Sequence, residues 1–199
     1  AIRWKGQVEP LFLVAQYIDN NGPPAADFTA EPDGVVVAFE ASAAAELAQR
    51  YATAFPPAYQ NEVAPADALE DLEALQRLRS SVADLQLNLY RPADQTPTRL
   101  HLKIVKAGEA IAISDLLPML ENFGLRVLSE RPWRIALEDV ESGASVQDFA
   151  MERDAGPPLQ VEQVEVRFVA GFLAAWRGEI ENDGFNRLLL LTALDARQI

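Results

Sequence analysis

The chain has no cysteine and only one histidine among its 199 residues. The first absence excludes disulfides, thiolate zinc sites, iron–sulfur clusters and cysteine nucleophiles, and fits a reducing compartment, with the cytoplasm as the expected location. Basic residues are scarce. Lys and Arg number 17 against 30 Asp and Glu, a net charge of −13. They form no cluster that could track phosphates, which argues against nucleic acid and against an anionic membrane surface as partners. No apolar run approaches the roughly 18 residues of a membrane span. The start, Ala1-Ile2-Arg3-Trp4-Lys5, lacks the apolar stretch of a signal peptide. Neither G-x-G-x-x-G nor G-x-x-x-x-G-K-[ST] occurs, so no phosphate cradle is recognisable.

What is present suits an ordinary soluble chain: 49% hydrophobic and 24% charged residues, enough to bury a core without staples. The length corresponds to one domain with an extension or two small ones. The chain lacks an initiator methionine and stops within an apolar helical pattern, as a piece of a longer protein would.

Period and punctuation predict the elements. The apolar stretch Val8 to Ile18 is a strand or short helix, and Gly34 to Phe39 a short buried strand. A helix over Ser42 to Ala54 is expected to stop at Pro56-Pro57. The next helix opens at Pro65 and buries Leu69, Leu72, Leu75 and Leu78. Alternation at Leu85, Leu87 and Leu89, then at Leu100, Leu102 and Ile104, predicts a hairpin. A helix capped by Asp115 runs to Phe123, with Leu116, Leu120 and Phe123 on one face against Leu87, Leu102 and Val127, and Gly124 as its left-handed stop. The strand Leu125 to Leu137 contains Pro132 and is therefore bent or at an edge. Ser142-Gly143 is expected to turn the chain into a strand over Val146 to Met151. Helical patterns follow from Val161, the last capped by Asn182 or Asp183 and carrying Phe185, Leu188, Leu189 and Leu191.

The expected fold is therefore α+β: a ferredoxin-like βαββαβ sandwich with an extra strand and a C-terminal helical extension. The expected organisation is a segment over 1–60 with a strand and a helix, an α+β module over 61–158, and helices over 159–199.

Chemistry is sparse. His101 falls on the polar side of its strand and reads as a surface residue. Joining it to Ser114 and Asp115 as a hydrolytic triad explains less than helix capping does. Glu179, Glu181 and Asp183 beside Asn182 offer oxygen ligands, but a solvated helix start accounts for them, and the spacing is not that of a calcium loop. Glu138, Asp139 and Glu141 read as a solvated turn. Phe168, Phe172 and Trp176, four apart, read as packing.

A series of segments carries a resemblance: Phe55-Pro56-Pro57-Ala58-Tyr59, Leu87-Asn88-Leu89-Tyr90-Arg91-Pro92, Ile113 to Val127 (ISDLLPMLENFGLRV), Glu130-Arg131-Pro132-Trp133, Val146-Gln147-Asp148-Phe149, and Trp176 to Leu188 (WRGEIENDGFNRL). In this order, over about Ala45 to Ile199, the chain resembles the large bacterial NAD-specific glutamate dehydrogenases. The resemblance implies a far longer polypeptide whose N-terminal part holds ACT-like βαββαβ modules. It implies that this chain is one such module followed by helices leading to an absent catalytic core. The implied activity of the whole is oxidative deamination of L-glutamate to 2-oxoglutarate. NAD would be the cofactor of the whole, with no cofactor, catalytic or metal residue in this segment. Implied partners are the remainder of the polypeptide, further copies in a homo-oligomer, and an amino-acid effector. For the effector, the backbone N–H groups at the start of the Asp115 helix suit a carboxylate, with Ser114 and the loop residue Gly108 as further candidates, although the charge of Asp115 opposes this. A purely architectural oligomerisation module is the alternative. A self-contained small enzyme on a ferredoxin-like fold is the third reading, and one His with no Cys supports it least.

Overall fold

The computed structural model describes Arg3–Trp4, Gln7–Val8 and residues 50–198, apart from 52, 81–84, 93–94, 138–139, 154–158 and 193–197. The expected strand at Gly34 to Phe39, all but the end of the helix from Ser42, and the stretch after Val8 lie outside the described residues. Strands β1 (Arg3–Trp4) and β2 (Gln7–Val8) pair antiparallel. The chain divides into two compact units, one of Ala1–Asp84, Lys106–Glu109 and Trp133–Ser145, the other of Leu85–Val105, Ala110–Pro132 and Val146–Ile199.

In the first unit, Pro56-Pro57 does more than stop a helix. Pro57 opens helix α1 (Pro57–Glu62), because a proline at the first helical position gives up only an N–H that has no helical partner anyway. Helix α2 (Pro65–Ser80) begins at the expected proline and buries Leu69, Leu72, Leu75 and Leu78. Asp67 in its first turn and Arg77 and Arg79 in its last complement the helix dipole. Aromatic rings make this unit's packing directional: Phe55 stacks on Tyr59 at 4.8 Å, and Tyr59 meets Trp133 edge-on at 5.3 Å. The Tyr59 hydroxyl donates to the buried side chain of Asp71, which gives that polar group a partner inside the core.

The main sheet has four antiparallel strands in the order β3-β4-β6-β5, where β3 is Leu85–Tyr90, β4 Arg99–Ala107, β5 Leu125–Leu137 and β6 Val140–Arg153. Helix α3 (Ile113–Asn122) links β4 to β5, and helix α4 (Val161–Trp176) follows β6. This is the expected α+β, ACT-like architecture, with one finding about its composition. The second unit's core joins Leu85, Leu89, Leu102 and Phe149 of the strands to Leu120 of α3 and to Phe168 and Phe172 of α4. Helix α4 also lies against β3. The stretch expected to lead away from the module thus supplies the second helix of its layer.

Several details match the sequence reading. Leu116, Leu120 and Phe123 share the core with Leu102, and Leu87 and Val127 pack against it. Phe123, Phe168 and Phe172 form a ring cluster with centroids 5.3 to 5.9 Å apart. Pro132 lies on β5, an edge strand, where no neighbour needs its missing N–H. Gly124 takes φ +76° and donates to the Glu121 carbonyl at 2.8 Å, closing α3.

Other details differ. Ala112, not Asp115, is the residue before α3, which begins at Ile113. The reason is upstream: Gln147 fixes Ile111 through two backbone hydrogen bonds, so the helix starts immediately after that anchor. Pro118 therefore sits in the second turn, where it has no N–H to donate to the carbonyl of Ser114, a residue that is exposed. The Ser142-Gly143 turn is also displaced. Both residues lie inside β6, and the link between β5 and β6 falls at 138–139, with Glu138 and Asp139 outside the described residues.

Gly143 is nonetheless a required glycine. Its φ is +63°, and a Cβ there would stand 2.6 Å from the Ile135 carbonyl oxygen. Gly178 has a similar φ of +70° but nothing within 4 Å. Gly178→Ala is expected to cost only the left-handed backbone penalty, about 1 kcal/mol, whereas Gly143→Ala should exceed it by a further ~1–3 kcal/mol of steric strain. Urea unfolding of the two variants checks this. Equal losses would contradict the close approach at Gly143.

Candidate functional site

Polar residues buried on the sheet are the first place to look for chemistry. Alternation along β4 put Leu100, Leu102 and Ile104 inward and His101 outward; yet His101 is only 2% exposed and Lys103 3%. The surface reading of His101 is therefore corrected: both faces of β4 are covered, which alternation along one strand does not reveal. His101 Nδ1 stands 3.0 Å from Asp148 Oδ1, and the Tyr90 hydroxyl donates to the same oxygen at 3.2 Å. A carboxylate only accepts, so Nδ1 is the donor in this pair. The Gln95 side-chain oxygen lies 3.2 Å from Nε2, and the Tyr90 ring packs on the imidazole at 5.2 Å. The Lys103 ammonium stands 5.5 Å from the centre of the Tyr90 ring, within cation–π range. These residues hold β3, β4 and β6 in register. His101 has no hydrogen bond to Ser114 or Asp115, so the triad does not assemble.

On the opposite face of β6, Gln147 is buried and reads the backbone of Ile111 twice: it accepts from the Ile111 N–H at 2.8 Å and donates to its carbonyl at 2.9 Å. The same amide nitrogen donates to Glu130 at 2.7 Å. Sequence reading missed this clamp because its partners are 36 residues apart and Gln147 looks like any strand residue.

The three residues singled out for an effector are placed as follows. Ser114 and Asp115 are exposed in the first turn of α3, and the Ser114 hydroxyl donates to Asp115 Oδ1 at 3.3 Å. The Asp115 N–H is already bound to the Ala112 carbonyl at 3.0 Å. Gly108 belongs to the other unit. It has φ +77° and donates its N–H to the Gly143 carbonyl at 2.9 Å.

The acidic stretch at Glu179 to Asp183 is a capped turn. Asp183 accepts from the Phe185 N–H at 2.8 Å and starts a 3-10 turn, Gly184–Arg187, followed by helix α5, Leu188–Leu191. Leu189 and Leu190 are buried, whereas Phe185 is 67% exposed and Leu191 51%. Among the described residues no three acidic or histidine side chains converge to hold a metal ion, and no helix is long and apolar enough to cross a membrane.

The four-stranded sheet with its helices and internally committed polar groups defines an ACT-like α+β module. The family model for the glutamate dehydrogenase ACT3 domain matches residues 84–164, and that for glutamate dehydrogenase helical motif 2 matches 35–78. The chain is 34% identical to the NAD-specific glutamate dehydrogenase of Halomonas elongata over 153 residues, or 77% of this chain. It is 36% identical to that of Pseudomonas aeruginosa over 145 residues (73%), and 30% identical to that of Mycobacterium tuberculosis over 159 residues (76%). In each case it spans 9% of the relative's length. The chain belongs to the NAD-specific glutamate dehydrogenase family.

Proposed function

We propose that this chain is a non-catalytic, regulatory module of an NAD-specific glutamate dehydrogenase. On this reading the whole enzyme deaminates L-glutamate to 2-oxoglutarate with NAD, in the cytoplasm and as a homo-oligomer. The module packs with the rest of its polypeptide and responds to an amino-acid effector. The observation that carries the proposal is the ACT3 match over the residues that build the sheet and α3. The chemistry of the module supports it: the buried His101, Asp148, Tyr90 and Gln147 hold strands and a helix start together. An effector at the first turn of α3, by Ser114 and Asp115, is part of the same proposal. The architectural reading, a module that only joins subunits, differs from it by the absence of any effector.

The proposal predicts that the purified chain neither binds NAD nor reduces it with L-glutamate. Calorimetry with NAD and absorbance at the NADH band check both. Saturable micromolar binding of NAD, or any glutamate-dependent NADH formation, would contradict it.

A further inference from the structure

His101 is the chain's single histidine, and it is buried. An imidazole changes its charge nearer to neutral pH than any other unperturbed side chain, so the groups around its two ring nitrogens decide how a proton is felt. Both nitrogens meet side-chain oxygens. Nδ1 stands 3.0 Å from Asp148 Oδ1 and 3.2 Å from Oδ2, and Nε2 stands 3.2 Å from Gln95 Oε1. Asp148 lies on β6, whereas Gln95 lies in the connection between β3 and β4. The ring therefore sits between an element of the sheet and a loop residue.

The two contacts respond differently to protonation. The Asp148 carboxylate fixes the first proton on Nδ1. In the neutral ring Nε2 then carries only a lone pair, which repels the Gln95 oxygen and calls for the amide's NH2 group instead. In the imidazolium Nε2 carries a hydrogen, and the same oxygen accepts a charge-assisted hydrogen bond. The arrangement with Oε1 toward the ring thus belongs to the protonated form. Among the described residues, the other titratable groups on this face are Tyr90 of β3 and Lys103 of β4. The Tyr90 hydroxyl donates to Asp148 Oδ1 at 3.2 Å and lies 3.4 Å from Nδ1, and its ring packs on the imidazole at 5.2 Å. The Lys103 ammonium stands 5.5 Å from the centre of the Tyr90 ring. Lys103 opposes a positive charge on His101, while Asp148 and the Gln95 oxygen favour it.

We propose that protonation of His101 turns the Gln95 amide oxygen toward the ring and tightens the tie between the β3–β4 connection and β6, a pH-sensitive link built into the sheet. The sign follows from linkage. A contact stronger to the charged ring raises the protonation midpoint relative to a ring without that contact. Its extra contribution to stability is therefore full below the ordinary imidazole value of about 6.5 and is lost as pH rises through the His101 midpoint. Every group in the link belongs to the second unit, and the link needs neither an effector nor the regulatory reading.

The test is nitrogen-15 NMR of the whole chain across roughly pH 5 to 9, a range that brackets the imidazole titration. With one histidine in the sequence, its two ring signals need no further assignment. Above the midpoint the proton is expected on Nδ1, and below it on both nitrogens. The Gln95 side-chain amide signals, identified by their loss in Gln95→Leu, are expected to move with the same midpoint. Gln95→Leu should lower that midpoint by roughly half a unit or more, the difference between a charge-assisted hydrogen bond and a neutral one. Gln95→Glu, which puts a carboxylate in the same place, should raise it. Gln163→Leu, at an exposed position of α4, should leave it unchanged. The proposal is overturned if the ring does not titrate in this range, if the neutral ring carries its proton on Nε2, if the Gln95 amide signals ignore the titration, or if Gln95→Leu and the parent share one midpoint.

Discussion

Replacing Leu120 with alanine is expected to destabilise the protein by about 2–5 kcal/mol, the range for deleting a buried leucine side chain whose cavity cannot fully collapse. Leu120 is 0% exposed and lies in the core that joins α3 to β3, β4 and α4. The same core holds the ring cluster of Phe123, Phe168 and Phe172, whose contacts at 5.3 to 5.9 Å leave it little freedom to shift. Ser114→Ala on the exposed side of the same helix is the matched control, expected within about 0.5 kcal/mol of the parent. Chemical denaturation measures both. A loss under half a kcal/mol for Leu120→Ala would place that face of α3 on the surface and break the register of the whole helix.

The second large effect is expected at Asp148. Asp148→Leu removes the acceptor shared by His101 Nδ1–H and the Tyr90 hydroxyl. A buried donor deprived of its partner costs about 1–3 kcal/mol, and His101 is buried. Asp148→Asn keeps an oxygen at the same place and is expected to recover much of the loss. This contrast separates the hydrogen bonds from mere packing, because leucine fills comparable space. Equal losses in the two variants would show that the retained oxygen recovers nothing and would contradict the hydrogen-bonding account of this position.

These two sites also mark what could and could not be seen in the sequence. The leucine side of the hairpin, the stripe on α2, the α3 face and the stop at Gly124 were legible, since each follows from local spacing or from one backbone angle that favours glycine. Pro132 announced an edge strand because only an edge tolerates its missing N–H. His101 was misplaced because alternation tells which residues share a face, not whether that face meets water. The start of α3 was misplaced because Gln147, far away in sequence, fixes it. The 3-10 turn at Gly184–Arg187 was seen only as a capped helix. The assignment of α4 to the module also depends on tertiary packing: its spacing of Phe168 and Phe172 predicted a buried face without saying against what.

The proposed role is tested most directly by thermal unfolding of the chain against the proteinogenic amino acids, 2-oxoglutarate and NAD. A ligand present at about 100 times its dissociation constant adds roughly 2.7 kcal/mol, an easily resolved rise in melting temperature. A regulatory, non-catalytic module predicts a rise with at least one amino acid and none with NAD. A rise with NAD, or a flat response to every amino acid, would contradict it.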